Sequence, residues 1–297
     1  MRHAFLIIAH DCIDELQHLI KALDNNYNDI FIHLDKRASF GPEDLSGLVS
    51  RSTLTFLKRQ KVVWGGSSQI EVELNLFEAA YAEHQYQYFH LLSGVDYPVK
   101  PMRYIHKFFE NHNGENFIKI EDNPSNFDMR FDQYHLLQNV LVGKKRNLWK
   151  YADFASCYLQ RLIGIHRFRN NPDRPMHKYI NWVSVTEEVV ALLVQHRSSI
   201  LRQYRWTYCC DEVFLLAQIW NTPLRRTISP LGNLRFIEWK WFSKHDSSPR
   251  VLTIDDLDTL QEPDILFARK FQHPKSDELY TALAEVKKHE CNKRSYN

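Results

Sequence analysis

Polar and charged side chains follow three predicted strands at the point where each strand ends. They are His10-Asp11 after the apolar run 3–9, Asp35-Lys36-Arg37 after the run 29–34, and Ser93-Gly94-Val95-Asp96 after the run 86–92. In a mostly parallel α/β sheet the carboxyl ends of the strands share one edge, where ligands bind. We therefore expect these polar groups to cluster around a binding site.

Two adjacent acids, Asp211 and Glu212, begin a segment that is predicted to be helical as far as Ile219. Neighbouring carboxylates can take part in acid–base chemistry. On composition alone, the pair is better explained by the preference of acids for the first turn of a helix, where the helix dipole favours negative charge. The two residues by themselves therefore favour a structural interpretation.

The elements that must position these residues alternate along the chain. Apolar runs predict strands, and apolar residues at helical spacing predict helices. The predicted strands are 3–9, 29–34, 53–56, 86–92, 180–185 and 233–239, and the predicted helices are 13–23, 70–81, 187–195 and 211–219. This order is typical of an α/β fold with a mostly parallel sheet and flanking helices. Between 122 and 178 the composition favours long loops and short helices.

The composition excludes several classes of protein. With 38 basic and 36 acidic residues the net charge is +2, so bulk attraction to nucleic acid is not expected. The five cysteines include no CxxC spacing, which indicates reduced thiols rather than a disulfide framework or a zinc site. The apolar run at the N-terminus is too short to span a membrane and is predicted to be a buried strand.

Five short motifs carry a resemblance to a known family. They are Val63-Trp64-Gly65-Gly66, Leu92-Ser93-Gly94-Val95-Asp96-Tyr97-Pro98, the segment 234–239, the segment 248–253 and the segment 266–271. Together, and in this order, they resemble the core-2/I-branching β-1,6-N-acetylglucosaminyltransferases and peptide O-xylosyltransferases (glycosyltransferase family 14). The resemblance runs from residue 7 to about residue 271.

That resemblance implies a GT-A-like fold in a single catalytic domain over 1–275. Its nucleotide-binding half would cover about 1–120, its acceptor and catalytic half 121–275, and a C-terminal helix or tail 276–297. It also implies an inverting transfer of a sugar, GlcNAc or xylose, from a UDP donor to a glycan hydroxyl, without a metal ion or another cofactor.

The residue that matches the family's catalytic base is Glu212, within Cys209-Cys210-Asp211-Glu212. An inverting displacement needs one carboxylate to take the proton of the acceptor and positive charge beside the departing diphosphate. Many relatives have Ser-Pro in place of the two cysteines. The surrounding motifs therefore favour a catalytic role for Glu212 over the structural interpretation.

Basic side chains are expected to bind the diphosphate in place of a metal. Lys270, in Ala268-Arg269-Lys270-Phe271, matches the family's phosphate-binding lysine, and Arg250 is the predicted partner arginine, with Arg269 as the alternative. An ammonium group and a planar guanidinium both suit a diphosphate. The end of the strand at 93–96 offers a single carboxylate, Asp96, rather than an Asp-x-Asp motif.

Four residues match family positions beside the donor. Asp35 would meet the uridine, Trp64 would lie beside the donor, Gly65 would let the backbone approach it, and Asp96 would orient the sugar or hold its own loop. The alternative interpretations are a strand-end carboxylate for Asp35 and a core tryptophan for Trp64.

On the acceptor side, Trp239 and Trp241 match a pair of aromatic residues that contact the acceptor sugar, and Arg130 would hold its polar groups. Alternation along a strand places both tryptophans on one face. The alternative interpretation is that one or both face the core.

Three other functions remain open at this stage: transfer from another UDP-sugar such as a hexose or glucuronate donor, a catalytically silent sugar-nucleotide-binding protein, and a retaining metal-dependent enzyme. We expect a bacterial, cytoplasmic enzyme of surface polysaccharide or lipopolysaccharide synthesis that acts on a glycan or lipid-linked oligosaccharide. Peripheral membrane contact through the basic stretches 144–146 and 161–169 is a further expectation, although 144–146 also fits a solvated loop.

Overall fold

The computed structural model describes residues 1–121, 128–138, 148–168, 177–239 and 248–293. In chain order its elements are β1 (His3–Ala9), α1 (Ile13–Leu23), β2 (Asn28–Leu34), β3 (Thr53–Phe56), α2 (Ser67–Tyr81), β4 (Tyr88–Ser93), β5 (Tyr97–Pro98), α3 (Met102–Asn111), α4 (Asp128–Asp132), α5 (Leu148–Leu162), β6 (Ser184–Thr186), α6 (Glu187–Tyr204), α7 (Phe214–Ile219), β7 (Arg235–Ile237), α8 (Leu257–Leu260), β8 (Phe267–Arg269) and α9 (Asp277–Lys293).

The central sheet has five strands in the order β3-β2-β1-β4-β6. The first four are parallel, with Ile7 of β1 opposite Ile32 of β2 and Leu92 of β4, and β6 runs antiparallel to β4. This confirms the predicted α/β class with a mostly parallel sheet and flanking helices. Because helices cover both faces of such a sheet, its central strands are buried along almost their whole length and are mostly apolar rather than alternating.

The two faces of the sheet build two separate cores. Leu6 and Leu91 point to the side that packs against α2 and α6, whereas Phe5 and Ile7 point to the side of α1 and α3. Successive side chains of a strand point to opposite faces, which explains this division. Because β1 to β4 are parallel, their carboxyl ends lie at the same edge of the sheet.

A second, three-stranded sheet has the order β5-β8-β7. Strand β7 is parallel to β8, with Phe236 opposite Ala268, and β5 is antiparallel to β8. Val99, Phe271 and Leu283 form a third core between this sheet and α9. The small sheet brings the segment that follows β4 next to the end of β8.

Several predicted elements were wrong in length or type. The strand predicted over 180–185 is confined to β6, and the helix predicted over 211–219 is a 3₁₀ turn (Cys210–Glu212) followed by α7. The strand predicted over 233–239 is confined to β7, and α6 continues beyond residue 195 to Tyr204. The 3₁₀ turn follows Cys209, whose φ of 53° interrupts regular helix.

The region 122–178, for which loops and short helices were predicted, contains the 15-residue helix α5. None of the described helices combines the length and the apolarity that crossing a bilayer requires. The described cysteines Cys12, Cys157, Cys209 and Cys210 are free thiols, as expected.

Candidate active site

A cleft of about 490 Å³ is formed where several segments meet. These are the loop after β3, the start of α2, the segment that ends at residue 121, α4, the loop before β6, the 3₁₀ turn, the residues after β7 and the end of β8. The lining residues on which the site depends are Trp64, Glu121, Arg130, Lys178, Asn181, Trp182, Asp211, Glu212, Trp239 and Arg269.

The backbone around Glu212 is held from both sides. The Cys209 amide donates a hydrogen bond of 2.7 Å to the carbonyl of Gly65, and the Tyr179 amide donates one of 2.9 Å to the carbonyl of Glu212. The Glu212 side chain is 27% exposed and lines the cleft. The carboxylate is therefore fixed by its turn and remains accessible to a ligand.

Two cations flank the Glu212 carboxylate. Lys178 Nζ lies 3.5 Å and Arg130 Nη1 lies 3.7 Å from Glu212 Oε2. No described residue satisfies the hydrogen-bonding capacity of that oxygen. Lys178 also forms an ion pair with Glu121. Burial raises the pKa of Glu212, while the charges of Lys178 and Arg130 oppose that rise. The arrangement supplies a carboxylate that is partly exposed to the cleft and has a raised pKa, which suits a general base.

Two more acids lie beneath Glu212, away from the cleft mouth. Gln69 Nε2 donates to Asp211 Oδ2 at 2.7 Å, and Asn181 Nδ2 donates to Glu73 Oε1 at 2.7 Å. Burial raises the pKa of Glu73 well above its usual range, and burial together with the charge of Glu212 raises the pKa of Asp211 to about 7. Burial therefore favours the neutral, protonated form of Glu73.

The neutral state of Glu73 leads to a stability prediction. Because Gln resembles a protonated Glu in shape, we expect Glu73→Gln to change the free energy of unfolding by less than about 1 kcal/mol at pH 7. Glu73→Ala is expected to cost about 2–4 kcal/mol, because it opens a cavity and leaves the Asn181 amide without its acceptor. Urea denaturation of both variants and the wild type measures the difference.

The same denaturation experiment, repeated across pH, tests whether the protonated state of Glu73 is the reason for the small effect of Glu73→Gln. Above the usual pKa of a glutamate and below the raised one, the native state holds a proton that the unfolded state has released. The contribution of Glu73 to stability therefore falls as pH rises through that window. Glu73→Gln should remove this slope, and a Gln variant as unstable as the Ala variant would show that the acid is not neutral.

Arg269 lines the cleft and has buried hydrogen-bond donors that are not used within the described part of the chain. Its guanidinium carbon lies 4.4 Å from the centre of the Trp182 ring, and its Nε lies 3.5 Å from Asp96 Oδ1. The side chain is 14% exposed, and neither Nε nor Nη1 finds a hydrogen-bond partner among the described residues. Burial lowers the pKa of Arg269, with the charge of Asp96 opposing the shift. A buried cation with free donors is suited to an anionic ligand.

Arg250, the predicted partner of Lys270, forms an ion pair with Asp256 outside the cleft. Its guanidinium lies 3.0 and 2.5 Å from the two carboxylate oxygens of Asp256. Asp256 also accepts a hydrogen bond from the Thr253 amide at the start of a short 3₁₀ turn. Arg250 is not among the described residues that line the cleft.

Lys270 follows β8 directly and is not among the described residues that line the cleft. Its positive charge lowers the pKa of the Cys12 thiol, where α1 begins, although burial is the main influence and raises that pKa. Lys270 therefore lies near the start of α1.

The two predicted donor-side carboxylates both have protein partners. Asp35 accepts hydrogen bonds from the backbone and guanidinium of Arg37 and from the Val62 amide. Burial alone would raise the pKa of Asp35, but these hydrogen bonds outweigh it and hold the pKa well below its usual range. Asp96 accepts from the amide and the hydroxyl of Ser93. Both carboxylates hold strand-end loops in place.

The aromatic residues predicted to contact substrates are exposed in the cleft. Trp64 is 41% and Trp239 is 46% exposed, and both line the cleft, so neither is a core residue. Gly65 has a φ of +72°, and a Cβ there would lie 2.7 Å from the Tyr208 ring. The glycine is thus required by local packing. Trp241 lies outside the described residues.

The family model described as Core-2/I-Branching enzyme matches residues 3–261 of this sequence. The chain belongs to this family. The match extends over most of the chain, including the five-stranded sheet and Glu212, and it confirms the family expected from the five motifs. The assignment of individual site residues and of the domain halves stays a prediction.

Relatives of known name are identical to this chain at about a quarter of the aligned positions. A Bos taurus β-1,3-galactosyl-O-glycosyl-glycoprotein β-1,6-N-acetylglucosaminyltransferase is 25% identical over 90% of this chain and 65% of its own length. The xylosyltransferase oxt of Drosophila pseudoobscura pseudoobscura is 24% identical over 92% of this chain and 32% of its own. The chain thus spans about two thirds of the first relative and a third of the second. Both names are those of glycosyltransferases.

Among solved structures, mouse xyloside xylosyltransferase 1 aligns with 73% of this chain and 81% of its own, at 12% identity and a TM-score of 0.33. A similarity of this size supports no conclusion about fold or function.

Sequence reasoning missed the loop that carries Lys178, Asn181 and Trp182. The apolar character of 180–185 predicted a strand, yet the strand begins only at Ser184. The one signal within the run was Asn181, because an amide is uncommon in a buried strand and needs a partner. Its partner, Glu73, lies on α2, more than a hundred residues away in sequence.

Proposed function

We propose that this chain is an inverting glycosyltransferase that transfers a sugar, GlcNAc or xylose, from a UDP donor to a hydroxyl of a glycan acceptor. Membership of the Core-2/I-Branching enzyme family supports the reaction class. The names of the relatives, an N-acetylglucosaminyltransferase and a xylosyltransferase, support these two sugars. The observation that supports the mechanism is the position of Glu212, whose partly exposed carboxylate lines the cleft between the cations Lys178 and Arg130.

In the proposed reaction Glu212 is the general base. Its carboxylate takes the proton of the acceptor hydroxyl as the hydroxyl oxygen attacks the anomeric carbon. The bond from that carbon to the diphosphate oxygen breaks, and UDP leaves with the electron pair. One displacement inverts the anomeric configuration. The raised pKa of Glu212 makes its carboxylate a stronger base than an exposed glutamate.

Arg269 and Lys270 are proposed to stabilise the departing diphosphate. They are adjacent in sequence, and Arg269 has unused donors. Fixed positive charge beside a leaving group stabilises the transition state without a metal. Asp96 accepts two hydrogen bonds from Ser93 and faces Arg269, which does not suit it to binding a cation. These contacts support a metal-independent reaction.

Trp239 and Arg130 are proposed to hold the acceptor, and Trp64 the donor sugar. Exposed tryptophan faces pack well against the C–H groups of sugars. Arg130 lies beside Glu212, so a polar acceptor group bound to it would lie close to the base. A lipid-linked acceptor, a bacterial origin and a cytoplasmic role in surface polysaccharide synthesis stay predictions.

A thermal-denaturation screen with UDP and a panel of UDP-sugars, all in excess EDTA, tests this function. A ligand that binds only the native state raises the melting temperature. We expect UDP to stabilise the protein in EDTA, and UDP-GlcNAc or UDP-xylose to stabilise it more than UDP-glucose or UDP-glucuronate does. Stabilisation that appears only after manganese or magnesium is added would contradict the metal-free diphosphate site.

A further inference from the structure

Helix α5 exposes an apolar face to solvent. Of the twelve large apolar side chains that are exposed in the described part of the chain, seven lie between residues 148 and 163, and each is at least 55% exposed. They are Leu148, Trp149, Tyr151, Tyr158, Leu159, Leu162 and Ile163. Single exposed apolar residues are common on protein surfaces, but a concentration of this kind marks an interaction surface.

The inner face of α5 is fixed, so the helix cannot turn its apolar face inward. Asp153 and Cys157 lie one helical turn apart and are both buried. Asp153 Oδ2 lies 2.6 Å from His135 Nδ1, and Cys157 Sγ lies 3.6 Å from the same nitrogen. Ordinary surface helices bury their apolar stripe and expose their polar one. Helix α5 does the reverse.

The charges around this face have one sign. Residues 148–168 contain a single acid, Asp153, and it is buried. Arg161 is exposed on α5, and Arg202 and Arg205 are exposed at the end of α6. That end contacts the same region, because the His135 amide donates a 2.8 Å hydrogen bond to the carbonyl of Trp206. An apolar, tryptophan- and tyrosine-bearing face with basic neighbours complements an anionic bilayer surface.

We propose that the exposed face of α5 docks this chain on the surface of a bilayer that contains anionic lipids. The contact expected through the basic stretches 144–146 and 161–169 stays a prediction, and the proposed surface adds an apolar face that enters the interface beside Arg161. Stretch 144–146 lies outside the described residues and is not part of the proposed surface.

The surface lies near the cleft. The Tyr208 ring is 5.9 Å from Lys150 Nζ on α5 and 6.0 Å from the Trp64 ring in the cleft. The Tyr208 amide also donates a 3.0 Å hydrogen bond to the carbonyl of Arg130. Docking through α5 would therefore hold the cleft close to the bilayer, within reach of an acceptor that is anchored in it.

Flotation of the purified chain with vesicles tests the proposal. One set contains phosphatidylcholine alone, and the other contains phosphatidylcholine mixed with phosphatidylglycerol. We expect binding to the mixed vesicles and a partition coefficient about tenfold or more lower for Leu159→Glu/Leu162→Glu, since both side chains would enter the interface. Tyr158→Glu should also weaken binding, whereas Tyr27→Glu, which makes the same change at a similarly exposed tyrosine outside α5, should not.

Four results would overturn the proposal: no binding of the wild type to mixed vesicles, equal binding to neutral vesicles, an equal loss in Tyr27→Glu, or a dimer in solution that Leu159→Glu/Leu162→Glu dissociates. The last, seen by light scattering, would identify the face as a contact between copies of the chain. Circular dichroism confirms that each variant is folded. The test uses no activity, so its failure leaves the proposed glycosyltransferase function intact.

Discussion

Glu212→Gln is expected to lower the turnover number for sugar transfer by about a thousandfold, because a general base contributes roughly 10²–10⁴ in rate. The amide keeps the size and the position of the side chain in its turn but cannot take the proton of the acceptor. Binding of UDP should be nearly unchanged, because the carboxylate is proposed to act on the acceptor. Steady-state rates with the donor found in the EDTA screen, together with calorimetric UDP binding, measure both quantities.

Lys178→Met provides the control for this prediction, because it leaves the base in place and removes one flanking cation. Turnover requires ionised Glu212, so the rate rises with pH as Glu212 loses its proton. Without Lys178, which lies 3.5 Å away, the pKa of Glu212 should rise further, and the pH–rate profile should move to higher pH. Wild-type turnover in Glu212→Gln would show that another residue is the base.

Arg269→Met is expected to weaken UDP binding by about 10- to 100-fold, which corresponds to the loss of hydrogen bonds from a charged donor at roughly 1.5–3 kcal/mol. Methionine retains much of the packing against Trp182, and Asp96 keeps its hydrogen bonds from Ser93. The variant should therefore stay folded, and calorimetric titration with UDP in EDTA measures the change.

Arg250→Met is the matched control variant. It makes the same substitution at the arginine that the sequence analysis predicted to bind the diphosphate. Its guanidinium is paired with Asp256, so we expect a loss of about 2 kcal/mol in unfolding free energy and unchanged affinity for UDP. The opposite pattern, with UDP binding lost in Arg250→Met and kept in Arg269→Met, would restore Arg250 as the phosphate-binding residue.

Local pattern was enough to predict most of the nucleotide-side elements. Strands β1 and β3 and helix α1 have the predicted bounds, because a buried strand and an amphipathic helix each impose a period that is visible within a short window. The same reasoning failed for α5, whose buried face carries Asp153 and Cys157 while its exposed face is apolar. Predicting a helix from the spacing of its apolar residues assumes that these residues face the core.

The motifs, taken in order, also identified the family and pointed to Glu212. What they did not determine is which side chains share the cleft. Lys178, Glu121 and Glu212 meet only because the loop before β6 packs against the 3₁₀ turn. The contacts of the two candidate arginines were likewise visible only in the structure. Arg250 forms a two-point contact with Asp256 outside the cleft. Arg269 lies beside Asp96, packs on Trp182 and keeps unused donors.

The sequence by itself therefore determined the elements of the main sheet, the family and the acid proposed as the base, since these follow from local periodicity and from short motifs. The tertiary structure alone decided the electrostatic surroundings of that acid, the free donors of Arg269 and the outward face of α5. Each of these depends on burial and on contacts between segments far apart in the chain, and no window of sequence contains them.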